Sequence, residues 1–132
     1  MPNAGRVKGS RQYGGVLILI VRINGWDFKL LADTGAALTV ITRDVANLLG
    51  IDLRHPVRME KVMIASKAIR RPPVIRLREV KVGAYRVDNL EALVLEFPPK
   101  LRIDGLLGVN FLERFRPTFE FDTATLVLHG RG

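Results

Sequence analysis

A chain of 132 residues has room for one domain with its own hydrophobic core, held without metal or disulfide staples. It contains no cysteine, which rules out disulfides, thiol nucleophiles and cysteine-ligated metal; its two histidines, His55 and His129, lack any metal-ligand spacing, so no metal and no cofactor is expected. The formal charge of +8 would favour an acidic partner, but Arg6, Lys8, Arg11, Lys67, Arg70 and Arg71 follow no helix face or aromatic-rich motif and read chiefly as solvated surface.

Residues 1–15 place Gly5, Gly9, Gly14 and Gly15 among polar and basic side chains, which predicts a flexible or extended basic arm ahead of a folded domain at 16–132. The arm lacks the apolar core of an export signal. The apolar run Val16–Val21 is far shorter than the roughly 20 residues of a membrane helix. No membrane segment is therefore expected in this chain; the compartment stays open, with the cytoplasm favoured over export. Val16–Ile23 and Trp26–Leu31 read as two strands joined at Asn24-Gly25, a pair that tolerates positive φ in a tight hairpin.

The second strand runs straight into Asp33. A carboxylate is ordinarily expelled from apolar company, yet Leu30-Leu31-Ala32 precede this one and Leu38-Thr39-Val40-Ile41 soon follow. At the edge of a core its protonation is open to tuning by desolvation and neighbouring charge, as acid/base chemistry requires. Gly35 would allow a turn closed to other residues and bring amides within reach of the carboxylate. Thr34 can donate and accept at once. As a bare tripeptide, Asp-Thr-Gly also suits a plain turn between strands.

Thr42 can cap a short helix through Leu49, with Gly50 placed to stop it and Val45, Leu48 and Leu49 on one face. Residues 57–64 and 68–82 read as extended segments around Ala65-Ser66-Lys67, with Pro72-Pro73 barring a regular central strand. This is either a projecting lid or an ordinary surface hairpin. Residues 80–82 and 85–88 bracket a turn, a strand follows over Leu90–Leu95, and Phe97-Pro98-Pro99-Lys100 forms a rigid loop. After Asp104 comes Gly105-Leu106-Leu107-Gly108, then a helix of one or two turns offering Val109, Leu112 and Phe115 to the core. A hairpin around Asp122-Thr123 ends the chain. The whole is a mainly β fold with one or two short helices.

Ala32-Asp33-Thr34-Gly35-Ala36, followed downstream by Asp104-Gly105-Leu106-Leu107-Gly108-Val109-Asn110-Phe111-Leu112, resembles the pair of signatures of the retropepsin-like aspartic peptidases. The resemblance extends from about Val16 to Leu128 and is nearest to bacterial single-domain members. It implies an acid-protease barrel with one lobe per chain. It also implies that Asp33 is the catalytic acid and that Thr34, Gly35 and Ala36 support its loop. Leu106, Leu107 and Gly108 would pack beneath that loop, and Ala65, Ser66, Lys67 and Ala68 would form the tip of a flap over the substrate. The tip departs from viral members, which have glycine-rich flaps. Asp122-Thr123-Ala124 is only superficially similar to the first signature, since alanine replaces its glycine.

Peptide hydrolysis by paired carboxylates needs two acids in one site, and this chain offers one in a suitable context. A symmetric homodimer supplies the second, so the expected function is a homodimeric aspartic endopeptidase acting on polypeptide. Val40, Ile64 and Leu106 are expected as an apolar wall beside the cut. Two other readings remain: a dimeric module of the same fold that binds peptides without cutting them, and a small basic β-barrel that binds nucleic acid. The latter leaves Asp33-Thr34-Gly35 unexplained and lacks the exposed interleaved aromatics of single-strand binders.

Overall fold

The computed structural model describes residues 4–64 and 66–130. In chain order, β1 (Ala4–Lys8) and β2 (Ser10–Gln12) precede the hairpin of β3 (Val16–Ile23) and β4 (Trp26–Ala32). Then come β5 (Thr39–Ile41), the helix α1 (Arg43–Leu48), and the short strands β6 (Arg58–Met59), β7 (Val62–Met63) and β8 (Ile69–Arg70). The long strands β9 (Pro73–Val82) and β10 (Tyr85–Val94) lead to β11 (Gly105–Leu107) and α2 (Val109–Leu112). The chain finishes with β12 (Thr118–Glu120) and β13 (Thr125–His129).

The main sheet runs β2-β3-β4-β11-β5-β10-β9-β6, and a further pairing of β3 with β9 closes β3, β4, β11, β5, β10 and β9 into a barrel. Each strand belongs there for a local reason. In β3, Val21 and Ile23 are fully buried while Ile20 and Arg22 face out; in β9, Leu77, Val80 and Val82 are buried while Arg76, Arg78 and Lys81 face out. Asn24 (φ 50°) and Gly25 (φ 91°) turn the first hairpin as expected. Leu17, Leu19, Leu30, Leu77 and Phe111 meet inside the barrel, where burying each such side chain stabilises by about 1.5–3 kcal/mol. A second, smaller cluster of Val40, Val74 and Leu93 forms apart from it, covered by Leu38, Val62, Leu95, Phe97 and Leu106.

Several expectations need correction. The stretch read as a flexible or extended basic arm is extended and paired: β1 pairs with β13 from Ala4↔His129 to Lys8↔Thr125, and β2 pairs with β3. Gly9 helps to explain this, because a Cβ there would lie 2.3 Å from the Ile18 carbonyl oxygen; this glycine serves close packing, not freedom. Thr42 caps α1 as expected by accepting the Val45 N–H, but the helix buries Val45 and Ala46 and leaves Leu48 exposed. Six residues make too short a helix to present a broad face. Residues 85–94 form one strand even though Asn89 has φ 54°. In the last helical turn, Phe111 and Leu112 enter the core, and Val109 and Phe115 are only half-buried.

Candidate active site

Asp33 leaves the end of β4 at the point where β11 also ends. β11 lies parallel to β4 (Leu106↔Leu31, Leu107↔Ala32) and antiparallel to β5 (Gly105↔Ile41, Leu106↔Val40). Both arms of the acidic loop thus flank one inserted strand. The Asp33 N–H donates to the Leu107 carbonyl (2.9 Å), and the Ala36 N–H donates to the Asp33 carbonyl (3.3 Å). The Gly35 N–H donates to the carboxylate at Oδ1 (2.8 Å), so the amide contact expected of this glycine is made.

The reason for glycine at 35 differs from the expected one. Gly35 is not among the positive-φ residues, and a Cβ there would sit 3.2 Å from Asp33 Oδ1. Glycine leaves room beside the acid, where a Cβ would crowd the carboxylate by a few tenths of an ångström, and adopts no special dihedral. Asp33 itself is half-buried, Thr34 and Gly35 are exposed, and Ala36 is half-buried. Thr34 presents its hydroxyl outward with no hydrogen-bond partner among the described residues.

Beneath the loop, Leu106 is half-buried in the smaller apolar cluster, Leu107 is fully buried in the barrel core, and Gly108 begins α2. A Cβ on Gly108 would fall 2.6 Å from the Leu38 carbonyl carbon and 2.8 Å from the Ala36 carbonyl oxygen. That close approach lets the Val109 N–H donate to the Ala36 carbonyl (2.8 Å) and the Asn110 N–H to the Ala37 carbonyl (3.1 Å).

Two further residues fix the loop. Thr39 is fully buried; both its N–H and its hydroxyl donate to Asn110 Oδ1 (2.9 Å each), and its hydroxyl accepts the Gly108 N–H (3.1 Å). Asn110 completes the lock by donating through Nδ2 to the Glu91 carbonyl (2.8 Å). This network ties the far arm of the Asp33 loop to both α2 and β10. A signal existed: Leu38-Thr39-Val40 and Val109-Asn110-Phe111 each set one polar side chain between apolar ones, and a buried polar group demands a partner. Asp104, the other acid near a signature, works structurally, its carboxylate accepting the Lys29 N–H (2.9 Å).

The hairpin read as a flap candidate pairs β7 with β8, and Lys67 turns its tip at φ 66°. The Lys67 N–H donates to the Ile64 carbonyl (2.8 Å) and the Ile64 N–H to the Ala68 carbonyl (3.0 Å), with Ser66 exposed between them. Ala65 lies outside the described residues. Of the expected apolar wall, Val40 and Leu106 do cluster, but the hairpin residue packed with them is Val62; Ile64 lines a separate groove. In an antiparallel pair alternate side chains face opposite ways, so a two-residue step keeps the face but changes the neighbour.

Comparison with known proteins agrees with this geometry. Residues 19–111 match the family model described as aspartyl protease. The crystal structure of a retropepsin-like aspartic protease from Rickettsia conorii superposes with a TM-score of 0.72 at 26% identity, covering 98% of this chain and 94% of that one. The retroviral protease-like domain of Ddi1 from Leishmania major shares the fold alone, with a TM-score of 0.55 at 16% identity over 86% and 87% of the two chains. A curated relative, an uncharacterized protein in the cobV 5' region of Sinorhizobium sp, is 32% identical over 91 residues, 68% of this chain. The match spans 37% of that relative's length. With its barrel, its inserted β11 and its Asp33 loop, the chain belongs to the aspartyl protease family and has the retropepsin-like fold.

Proposed function

We propose that this chain is one half of a homodimeric aspartic endopeptidase in which two Asp33 carboxylates share one water. The observation that carries the reading is the state of Asp33 in a single chain. Its loop is locked from below by backbone hydrogen bonds and by Thr39 and Asn110, while Thr34 and Gly35 are exposed and, among the described residues, no second acid is bonded to Asp33. A loop this firmly held and open on its outer side suits a two-fold partner. In that pairing Thr34 bridges the two loops, and residues 66–68 close over the bound peptide.

The chemistry follows from two carboxylates at hydrogen-bonding distance, which hold one shared proton because both cannot readily ionise. The ionised carboxylate takes a proton from the water as its oxygen attacks the peptide carbonyl carbon. The protonated one gives its proton to the carbonyl oxygen, leaving a tetrahedral diol. A carboxyl then protonates the amide nitrogen, a diol proton returns to the other carboxylate, and the C–N bond breaks with no covalent enzyme intermediate.

Incubation with a diverse peptide library tests this. Wild type should cut, Asp33→Asn should not, and the solution mass should be twice the 14.8 kDa of one chain. Undiminished cleavage by Asp33→Asn, or activity from a species that stays monomeric, would overturn the proposal. Peptide binding without cleavage in either protein would identify a binding module instead.

A further inference from the structure

Half of the chain's formal excess of positive charge falls in one segment, the hairpin and the strands that carry it. Residues 57–73 contain Arg58, Lys61, Lys67, Arg70 and Arg71 against the single acid Glu60. Arg58 is engaged, bonding Glu60 at 2.9 Å and Glu91 at 2.9 Å. Arg70 and Arg71 are exposed and have no acidic partner among the described residues; the Arg70 guanidinium donates only to the Ile69 carbonyl, at 3.3 Å. Together with Arg43 at the start of α1 they rim a groove of about 550 Å³. Its one acid, Glu96, has a carboxylate oxygen taken up by the Arg43 backbone N–H (2.8 Å). The floor is apolar, made by Ile64, Pro72, Val94 and Leu95, with Met59 exposed beside it.

We infer that this groove holds an acidic segment of the polypeptide substrate, away from the residues flanking the cut. The inference rests on the proteolytic function proposed above. Three guanidinium groups above an apolar floor suit a segment that alternates Asp or Glu with apolar side chains: the guanidiniums pair with carboxylates, and the floor takes the apolar side chains. A nucleic acid would meet the charge, but the groove offers no aromatic side chain on which a base could stack. The hairpin would therefore select substrates as well as cover them.

The test uses two peptides that share one cleavable core and differ in a flanking run, Asp/Glu in one and Asn/Gln in the other. At low salt the acidic peptide should be cut with about tenfold higher kcat/KM, carried by KM, as expected for two or three partly exposed ion pairs. Added salt and the double substitution Arg70→Gln with Arg71→Gln should each bring the two rates together. Equal rates on both peptides, with cleavage still abolished by Asp33→Asn, would overturn the inference and leave the proteolytic function standing. If nothing is cut, binding of the labelled acidic peptide decides: loss of salt-sensitive binding in the double variant supports the groove. Absent binding, or displacement by a DNA oligonucleotide at lower concentration than by unlabelled peptide, overturns it.

Discussion

The crossing at Gly105–Asn110 and the hairpin at 57–73 sit on the same barrel and are built in opposite ways. At the crossing, β11 is bonded on both sides, by β4 and by β5, Thr39 and Asn110 bond each other, the Gly108 N–H and the Glu91 carbonyl, and no buried side-chain polar atom among the described residues lacks a partner. The hairpin is joined by two-residue pairings of β7 with β8 at its tip and of β6 with β9 at its base, and leaves Met59, Met63 and Ile69 exposed. The crossing holds Asp33 in one place, and the hairpin is tied down at fewer points. Stability and function thus divide along the chain: substitutions at the crossing should cost folding, whereas those in the hairpin should cost only what the hairpin touches.

The largest expected effect is at Gly105. A Cβ there would lie 2.0 Å from the Val40 carbonyl oxygen, a backbone atom, so Gly105→Ala must part β11 from β5. We expect a loss of about 3 kcal/mol in urea unfolding, at the upper end of overpacking costs. A loss under half of that would mean that the two strands yield and the crossing is not rigid. Next comes Asn110→Ala, which removes the acceptor of the Thr39 N–H and hydroxyl and the donor to the Glu91 carbonyl. Leaving those buried groups unpaired should cost about 2 kcal/mol. Asn110→Asp keeps the acceptor and loses the donor, so its stability should fall between the other two proteins.

These two sites also show what can be read from one dimension. The barrel strands, the Asn24-Gly25 turn and the Thr42 cap are legible because alternation, turn chemistry and capping act within a few residues. The two signatures are legible as a pair because their order and interval accompany their composition. Pairing across the chain leaves no such mark. Nothing in Gly5, Arg6 and Val7 announces a strand against Leu126–Leu128, and a glycine packed against a distant carbonyl looks the same in sequence as one that bends freely. Thr39 and Asn110 lie 71 residues apart, so their bond is visible only once β11 is known to run between β4 and β5.

On the hairpin side the expected change is small. Met63, 71% exposed, can become serine within about 0.5 kcal/mol of wild-type stability. The amides of residues 62–70 should exchange with deuterium far faster than those of β9 and β10. A stability loss at Met63 equal to that at Asn110, or protection of the tip matching the long strands, would erase the contrast between the two regions in a single chain.

The smallest effect lies in a third region, where β1 joins β13, and it asks whether charge or backbone pairing holds an exposed edge. Arg6 bonds Glu120 with both its terminal nitrogens; that hydrogen bond, aided by charge attraction, holds the Glu120 carboxyl below its ordinary value. A carboxyl depressed in the folded state adds stability that is fully present above its unfolded value, about 4.3, and is lost as pH falls through the lower folded one. Amide protection in β1, measured against β9 and β10 as internal reference, should therefore decline below about pH 4. Arg6→Gln should remove the pH dependence and leave most of the protection, because the five register pairs from Ala4↔His129 to Lys8↔Thr125 survive it. Were β1 to lose its protection wholly in that variant at neutral pH, the ion pair rather than the ladder would be holding the strand, and the terminal sheet would belong with the sparsely paired hairpin rather than with the crossing.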